Sequence, residues 1–372
     1  MPAGAMTGTP RRILLSADAV GGVWQYSLEL AQGFGRRGIA VTLAVLGPPP
    51  ARDLAARAEA IENLSLVELN APLDWTATAP DAVERSAESL AVLAAREGAE
   101  LIHLHSPALA GAARWPAPVV VTAHSCLGTW WRTLRSEPMP PDFAWRVEQT
   151  AAGLRAADAV IAPSRSFASA LAETYGNDIP IVPIPNGRTP AHPAAVRREA
   201  LIFTAGRLWD EGKNLIALDR AAALHDLRIF AAGGDTGPHG GTITLPHLAR
   251  LGRLSDAAIM GWHHRASVYA SVAVYEPFGL SVLEAAQAGC ALVLSDIPTF
   301  RELWDGAAYF VPPDDAEAIG WALRDVLAEP YRMAARGADA RARADRYGSD
   351  RMVTKTLDAY GAVLARRHVA AE

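Results

Sequence analysis

Short apolar runs alternate along the chain with stretches whose apolar positions recur at helical spacing. The first run covers 12–16, a helical pattern follows near 24–37, and a second run covers 40–46; further runs lie at 101–105, 119–123, 159–162 and 181–185. Runs that are apolar at nearly every position predict strands buried on both faces, and helical patterns between them predict a parallel sheet covered on either side. The implied architecture is a doubly wound α/β domain. Residues 188–199 then bring two prolines and several arginines without an apolar period, and read as a linker. A second series of apolar runs follows at 201–205, 227–232, 291–295 and 308–311, then an amphipathic helix at 316–327 and an Arg/Ala-rich helical stretch at 341–369. The expected organisation is a flexible N-terminus at 1–10, a first domain at 11–187, the linker at 188–199, a second domain at 200–340 and a C-terminal helical segment at 341–372. No fixed-period repeat interrupts this alternation.

Composition narrows the class without naming a function. At 372 residues the chain is too long for one ordinary core and suits two domains. Half of it is hydrophobic and 20% charged, which predicts a folded globular protein, and a net charge of −5 argues against a nucleic-acid partner. Cys126 and Cys290 offer neither a disulfide framework nor paired zinc-ligand spacing. The segment before Arg11 lacks a signal-peptide core, and no run approaches the roughly 20 apolar residues of a membrane span. The expectation is a cytoplasmic protein, with peripheral contact at the inner membrane face as an alternative. An Arg132/Arg135/Arg146 patch would serve that contact.

The richest chemistry lies at 275–286, Tyr-Glu-Pro-Phe-Gly-Leu-Ser-Val-Leu-Glu-Ala-Ala. Pro277 keeps Glu276 out of helical geometry, Gly279 permits close backbone approach, and a helix follows over 281–287. Free N–H groups and the positive dipole end of that helix favour a bound anion. Glu284 sits farther along the helix, roughly 6–8 Å from the anion position at about 1.5 Å rise per residue, where a nucleotide's ribose would lie. A carboxylate there accepts from both ribose hydroxyls.

The spacing of the two glutamates resembles the paired-glutamate motif of family 4 glycosyltransferases, a retaining group with the GT-B fold. The resemblance extends through Gly21-Gly22-Val23, Thr122-Ala123-His124, the stretch 157–164, Pro185-Asn186-Gly187, Ala205-Gly206-Arg207-Leu208 with Lys213, and 288–296, in the family's order. It covers the chain from Ile13 to about Tyr360. What it implies is two Rossmann-like doubly wound domains facing a central cleft, with the C-terminal segment returning to the first domain. The glycines Gly21 and Gly22 would face donor phosphates and acceptor. Arg207 and Lys213 would answer the leaving diphosphate's charge, so that neither metal nor cofactor is required. The usual Lys-Gly order is here Lys213-Asn214. Glu276 would contact the donor sugar, Phe278 and the amides of Gly279 and Leu280 the rest of the donor, and Glu284 the ribose.

Other residues carry more than one reading. His124 ends a strand at the ligand edge of the sheet and, by the resemblance, hydrogen-bonds the transferred sugar; His105 ends the preceding strand and would either reach the same cleft on the acceptor side or serve the structure. Asp18 would either take the acceptor hydroxyl's proton or cap its loop. Trp130 would stack on an acceptor ring or pack beneath a loop. His263-His264 lacks a third ligand and reads as surface. Asn186-Gly187 reads as a turn with positive backbone dihedrals. The dinucleotide fingerprint Gly-x-Gly-x-x-Gly is absent after the first strand, against a dehydrogenase. The expected activity is metal-independent transfer of a hexose-type sugar, with retention, from a nucleotide diphosphate sugar to an acceptor hydroxyl on a glycan, lipid-linked or small molecule. A nucleotide-sugar epimerase of the same fold and a non-catalytic nucleotide-sugar binder are the alternatives.

Overall fold

A computed structural model describes residues 8–191, 197–237 and 240–371, with the side chains of 370 and 371 excepted. Most of the expected N-terminal tail, residues 192–196 of the expected linker, and Glu372 lie outside the described residues. The chain splits into two compact units. One runs through Arg132, resumes over Ser136–Gly187 and takes in the chain from Ser349; the other is Arg188–Gly348 together with Thr133–Arg135.

In the first unit the order is β1 (Arg12–Asp18), α1 (Gly22–Gly35), β2 (Ala40–Leu46), α2 (Arg52–Glu59), β3 (Leu64–Glu68), α3 (Pro80–Arg96), β4 (Leu101–Leu104), α4 (Pro107–Ala110), β5 (Val119–Thr122), α5 (Leu127–Leu134), α6 (Pro141–Ala156), β6 (Ala159–Ala162), α7 (Arg165–Tyr175) and β7 (Ile181–Pro183). These strands form one parallel sheet in the order β3-β2-β1-β4-β5-β6-β7. Alternation along β1 explains the two layers. Ile13, Leu15 and Ala17 enter a core with Trp24 and Phe34 of α1, while Leu14 enters the opposite core with Val83 and Leu90 of α3. The helix α14 (Ser349–Ala371) completes the first of these cores, burying Met352, Val353, Tyr360 and Val363. Residues 341–348 belong instead to the second unit.

The second unit runs β8 (Glu199–Ala205), α8 (Leu215–His225), β9 (Ile229–Ala232), β10 (Ala249–Gly252), α9 (Asp256–Arg265), β11 (Ala266–Ser271), α10 (Leu280–Gln287), β12 (Ala291–Ser295), α11 (Pro298–Trp304), β13 (Ala308–Val311), α12 (Ala316–Ala328) and α13 (Pro330–Ala344). Its parallel sheet has the order β10-β9-β8-β11-β12-β13. Helices α8 and α12 cover one face through Leu218, Ile319 and Leu323; α10, α11 and α13 cover the other through Val282, Phe300 and Ala340. In both sheets strand order reverses direction once, between β1 and β4 and between β8 and β11. Ligands of open α/β sheets bind beyond the carboxyl ends of the strands at such a reversal.

Candidate active site

The loops that leave β8 and β11 carry the second unit's chemistry. After β8, Arg207 donates from Nη2 to Asp210 Oδ2 at 2.9 Å, and Asp210 Oδ1 accepts the Gly212 N–H at 3.0 Å. That buried carboxylate therefore caps the short 3-10 turn Glu211–Lys213 while steadying a guanidinium that stays about half exposed, at 52%. Asn214 follows in the left-handed region, φ 58, where glycine or asparagine is favoured. Its amide donates to Val272 O at 3.1 Å and Pro313 O at 2.7 Å. Those bonds and its left-handed backbone fix the Lys213-Asn214 turn.

The β11 loop is tied to this turn, because the Val274 and Tyr275 N–H groups both donate to Gly212 O, at 2.9 and 3.2 Å. Across that tie Lys213 Nζ donates to Glu276 Oε2 at 2.5 Å, with both side chains largely withdrawn from solvent. Gly279 then takes φ 90 at the N-cap of α10, a conformation costly for any residue with a Cβ. The chain leaves it with the first N–H groups of α10 unbonded within the helix, as every helix start does. Phe278 is not a ligand side chain. It is 3% exposed and packs edge-on against Tyr347, so only its backbone faces the loop.

Glu284, in the second turn of α10, accepts from Arg188 Nε at 2.8 Å. Arg188 lies where a linker was expected, and the structure counts it with the second unit. Behind Glu284 sits His263, fully buried, with Nε2 3.8 Å from Glu284 Oε2. His263 is thus core, not surface: its ring packs on Phe203 and Tyr269. Burial pushes it down to about 3, assisted by His264 and Arg188, so it is a neutral neighbour. Asp296 is bound by Arg301 at 2.6 and 2.7 Å and takes no part.

In the first unit, the reversal between β1 and β4 gathers Asp18 at the end of β1 and Gly21 and Gly22 beyond it with His105 after β4, and His124 after the neighbouring β5. Asp18 Oδ1 accepts the Val20 N–H at 2.9 Å, which caps the loop as the plainer reading had it. Gly21 is extended at φ −160, and a Cβ on it would meet nothing within 4 Å. No protein atom crowds that position, which leaves space for a ligand to approach.

His124 and His105 face each other, Nε2 to Nδ1, at 3.2 Å, and the Tyr26 ring stands edge-on to both. His105 Nε2 is buried without a hydrogen-bond partner. Beneath them His103, fully buried, is held by Tyr360 Oη and Thr122 Oγ1, each at 2.6 Å. Burial lowers His124 and His103 to about 3, and lowers His105 well below its ordinary value with the other two histidines adding to the effect. The cluster is therefore a set of neutral hydrogen-bonding groups near neutral pH. Trp130 lies on α5, half-buried, its ring 6.4 Å from Trp131.

One more expectation changes. Neither Asn186 nor Gly187 has a positive φ; Asn186 is buried and the Gly187 N–H points at Met352 Sδ, 3.0 Å away. Arg188 and His103 were not singled out from sequence. Arg188 directly follows the Pro185-Asn186-Gly187 motif, and a histidine inside the apolar run 101–105 was the visible sign of His103. Among the described residues, no group of three or more His, Cys, Asp or Glu side chains is arranged to hold a metal ion.

Two family models match the chain, one described as Glycosyltransferase Family 4 over residues 20–192 and one as Glycosyl transferases group 1 over residues 245–349. The chain belongs to glycosyltransferase family 4. This family 4 enzyme is 26% identical over 291 residues to the D-inositol 3-phosphate glycosyltransferase of Xylanimonas cellulosilytica, which covers 69% of either chain. It is 28% identical over 271 residues to the glycogen synthase of Mycobacterium tuberculosis, covering 66% of this chain and 64% of that one. The alignments thus span about two thirds of these relatives' length. Among solved structures, sucrose-phosphate synthase from Thermosynechococcus elongatus superposes with a TM-score of 0.78 at 19% identity, over 97% of this chain and 100% of that one. The Anabaena HepE protein, solved with UDP and glucose, gives 0.71 at 15% identity, over 95% and 100%. The glycosyltransferase therefore has the α/β GT-B fold.

Proposed function

We propose that the protein transfers a hexose-type sugar from a nucleotide diphosphate sugar to an acceptor hydroxyl, with retention of anomeric configuration and without a metal ion. The observation that carries this reading is the set of groups at the β8/β11 reversal. Arg207 and Lys213 supply two cations, α10 offers its N-terminus to a diphosphate, and Glu284 stands in the second turn of that helix, where this reading puts the ribose. As the anomeric C–O bond to the diphosphate breaks and the bond to the acceptor oxygen forms, negative charge grows on the departing phosphate, whose oxygen takes the acceptor hydroxyl's proton. Two fixed cations answer that charge as a metal would elsewhere. Glu276, ion-paired with Lys213, serves as the sugar-side carboxylate and holds the lysine in place.

Acceptor recognition is assigned to the first unit, with neutral His124 and His105 as hydrogen-bonding groups for sugar or acceptor hydroxyls. Retention rests on family membership. A nucleotide-sugar donor is in keeping with the UDP and glucose of the Anabaena structure. The reaction is assigned to the cytoplasm. No described helix is long and apolar enough to cross a membrane.

The test is calorimetry with UDP, GDP, ADP and TDP, and with their sugars, in the presence of chelator. One diphosphate binding well above the others, followed by its release from the matching sugar only when an acceptor is added, is the expected result. Binding that needs a divalent cation would remove the metal-independent reading. Isomerised donor without acceptor would replace the transferase with an epimerase.

A further inference from the structure

Arg188 is fixed at three points within the second unit. Its N–H donates to Tyr347 O at 3.1 Å, its carbonyl accepts from Gln287 Nε2 at 2.9 Å, and its Nε donates to Glu284 Oε1 at 2.8 Å. Two of those bonds come from residues three apart on one face of α10, so the helix grips residue 188 by backbone and side chain together. The ion pair is well withdrawn from water, with side-chain exposures of 12% for Arg188 and 13% for Glu284. Solvent screening is correspondingly weak.

The groups around Glu284 explain why this cation matters. His263 Nε2 stands 3.8 Å from Glu284 Oε2, beyond hydrogen-bond reach, and is neutral. The Tyr269 hydroxyl is engaged with Ser281 Oγ at 2.8 Å and with the Ala205 backbone. Arg188 supplies the positive charge and a directed N–H on one carboxylate oxygen. Without it, the carboxylate loses the N–H that fixes the direction of Oε1. A carboxylate turned away no longer meets both hydroxyls of a ribose diol.

We infer that Arg188 is a positioning residue for donor selection: by holding Glu284 in one orientation, it sets the enzyme's preference for a ribonucleotide over a deoxyribonucleotide. This rests on the donor-site reading above. A merely structural ion pair would support the fold and leave that preference untouched.

The experiment measures binding of UDP, GDP and ADP against dUDP, dGDP and dADP to the full-length protein and its variants. The unsubstituted protein should favour the ribo form of its preferred diphosphate by about tenfold or more, the size of a charged hydrogen bond. Glu284→Ala and Arg188→Ala should each bring the ratio close to one, with the double variant no lower than Glu284→Ala. Arg188→Lys, which keeps the charge and loses the guanidinium geometry, should recover part of it. Affinity for the deoxy form, which keeps one of the two hydroxyls, should fall less than that for the ribo form in Arg188→Ala, with an unchanged urea midpoint reporting a folded protein, whereas Arg207→Ala should weaken both forms alike. A full ribose preference in Arg188→Ala, or independent effects of the two substitutions, overturns the inference alone. Loss of both nucleotides in Arg188→Ala and Arg188→Lys alike makes the pair structural and also overturns it. A parent protein that binds diphosphates without ribose preference overturns Glu284 as the ribose carboxylate and Arg188 with it. One that binds no diphosphate overturns the donor-site reading itself.

Discussion

At the scale of single residues, exposure separates the two cations of the donor side. Arg207 is half exposed, and its buried partner Asp210 keeps the Gly212 N–H without it, so the pair is worth only about 1 kcal/mol to stability. The Lys213–Glu276 pair is mostly buried, and removing one member of such a pair costs about 3 kcal/mol. Arg207→Ala should therefore slow transfer about 100-fold or more with a nearly unchanged urea midpoint, whereas Lys213→Ala should lose both. Turnover and urea unfolding of the two variants check this; a stable, fully active Arg207→Ala would remove that residue from the chemistry.

His103 offers a second residue-scale test. Its folded value, about 3, lies below the unfolded histidine value of about 6.5, so between those limits the unfolded state binds more protons. Its stabilising effect is complete above about pH 6.5 and falls away as the pH drops towards 3, with a slope of up to about 1.4 kcal/mol per pH unit. His103→Gln should flatten the fall in unfolding free energy between pH 6.5 and 4.5. An unchanged slope would mean that the neighbouring histidines carry it. This residue also marks where sequence reading stopped. Arg207, Lys213, Glu276 and Glu284 stand in recognisable local strings, while the partners of His103 and Glu284 lie 257 and 96 positions away in the chain. Spacing within a string carries no information on such pairings.

At the scale of elements, apolar runs made the sheets legible wherever a strand was buried on both faces, as at 119–123 and 291–295. The run that became β11, Ala-Ser-Val-Tyr-Ala-Ser, mixes small polar with apolar residues and did not stand out, although its loop orders Glu276. The C-terminal helical pattern, read as one stretch, is broken at 345–348. There Tyr347 turns inward against Phe278 and Trp304 and donates its hydroxyl to Leu303 O at 3.1 Å. The return of the C-terminal segment to the first domain came from the resemblance and not from periodicity, and its packing on α1 depends on Gly33. A Cβ there would lie 2.4 and 2.9 Å from the two methyls of Val353, a side chain with little rotameric freedom. Gly33→Ala should destabilise the protein by about 1–3 kcal/mol, and adding Val353→Ala should return part of that loss. Urea titration of the single and double variants decides it: equal midpoints for Gly33→Ala and the parent would mean the helices separate at no cost.

At the scale of the whole molecule, the chain's two units differ in continuity. Arg188–Gly348 contains the six-stranded sheet, both of its covering layers, and Arg188, Arg207, Lys213, Glu276 and Glu284. Cutting it out would forfeit the Arg135–Glu211 pair at 2.7 Å, in which Glu211 is 60% exposed, a loss of at most about 1 kcal/mol. The first unit is discontinuous, since α14 fills its core with Met352, Val353, Tyr360 and Val363. Each such side chain contributes about 1.5–3 kcal/mol on burial, so deleting 349–372 removes an amount comparable with the whole stability of a domain. A fragment of residues 188–348 should therefore fold, bind the preferred nucleoside diphosphate within about tenfold of the full chain, and transfer nothing. A chain ending at residue 348 should keep that binding while its first unit loses cooperative unfolding. Circular dichroism melts paired with calorimetry read both outcomes. If the fragment folds but fails to bind the diphosphate, groups outside 188–348 must contribute to the donor site. If the truncated chain still melts as the parent does, α14 is a covering strap and not a part of the first core.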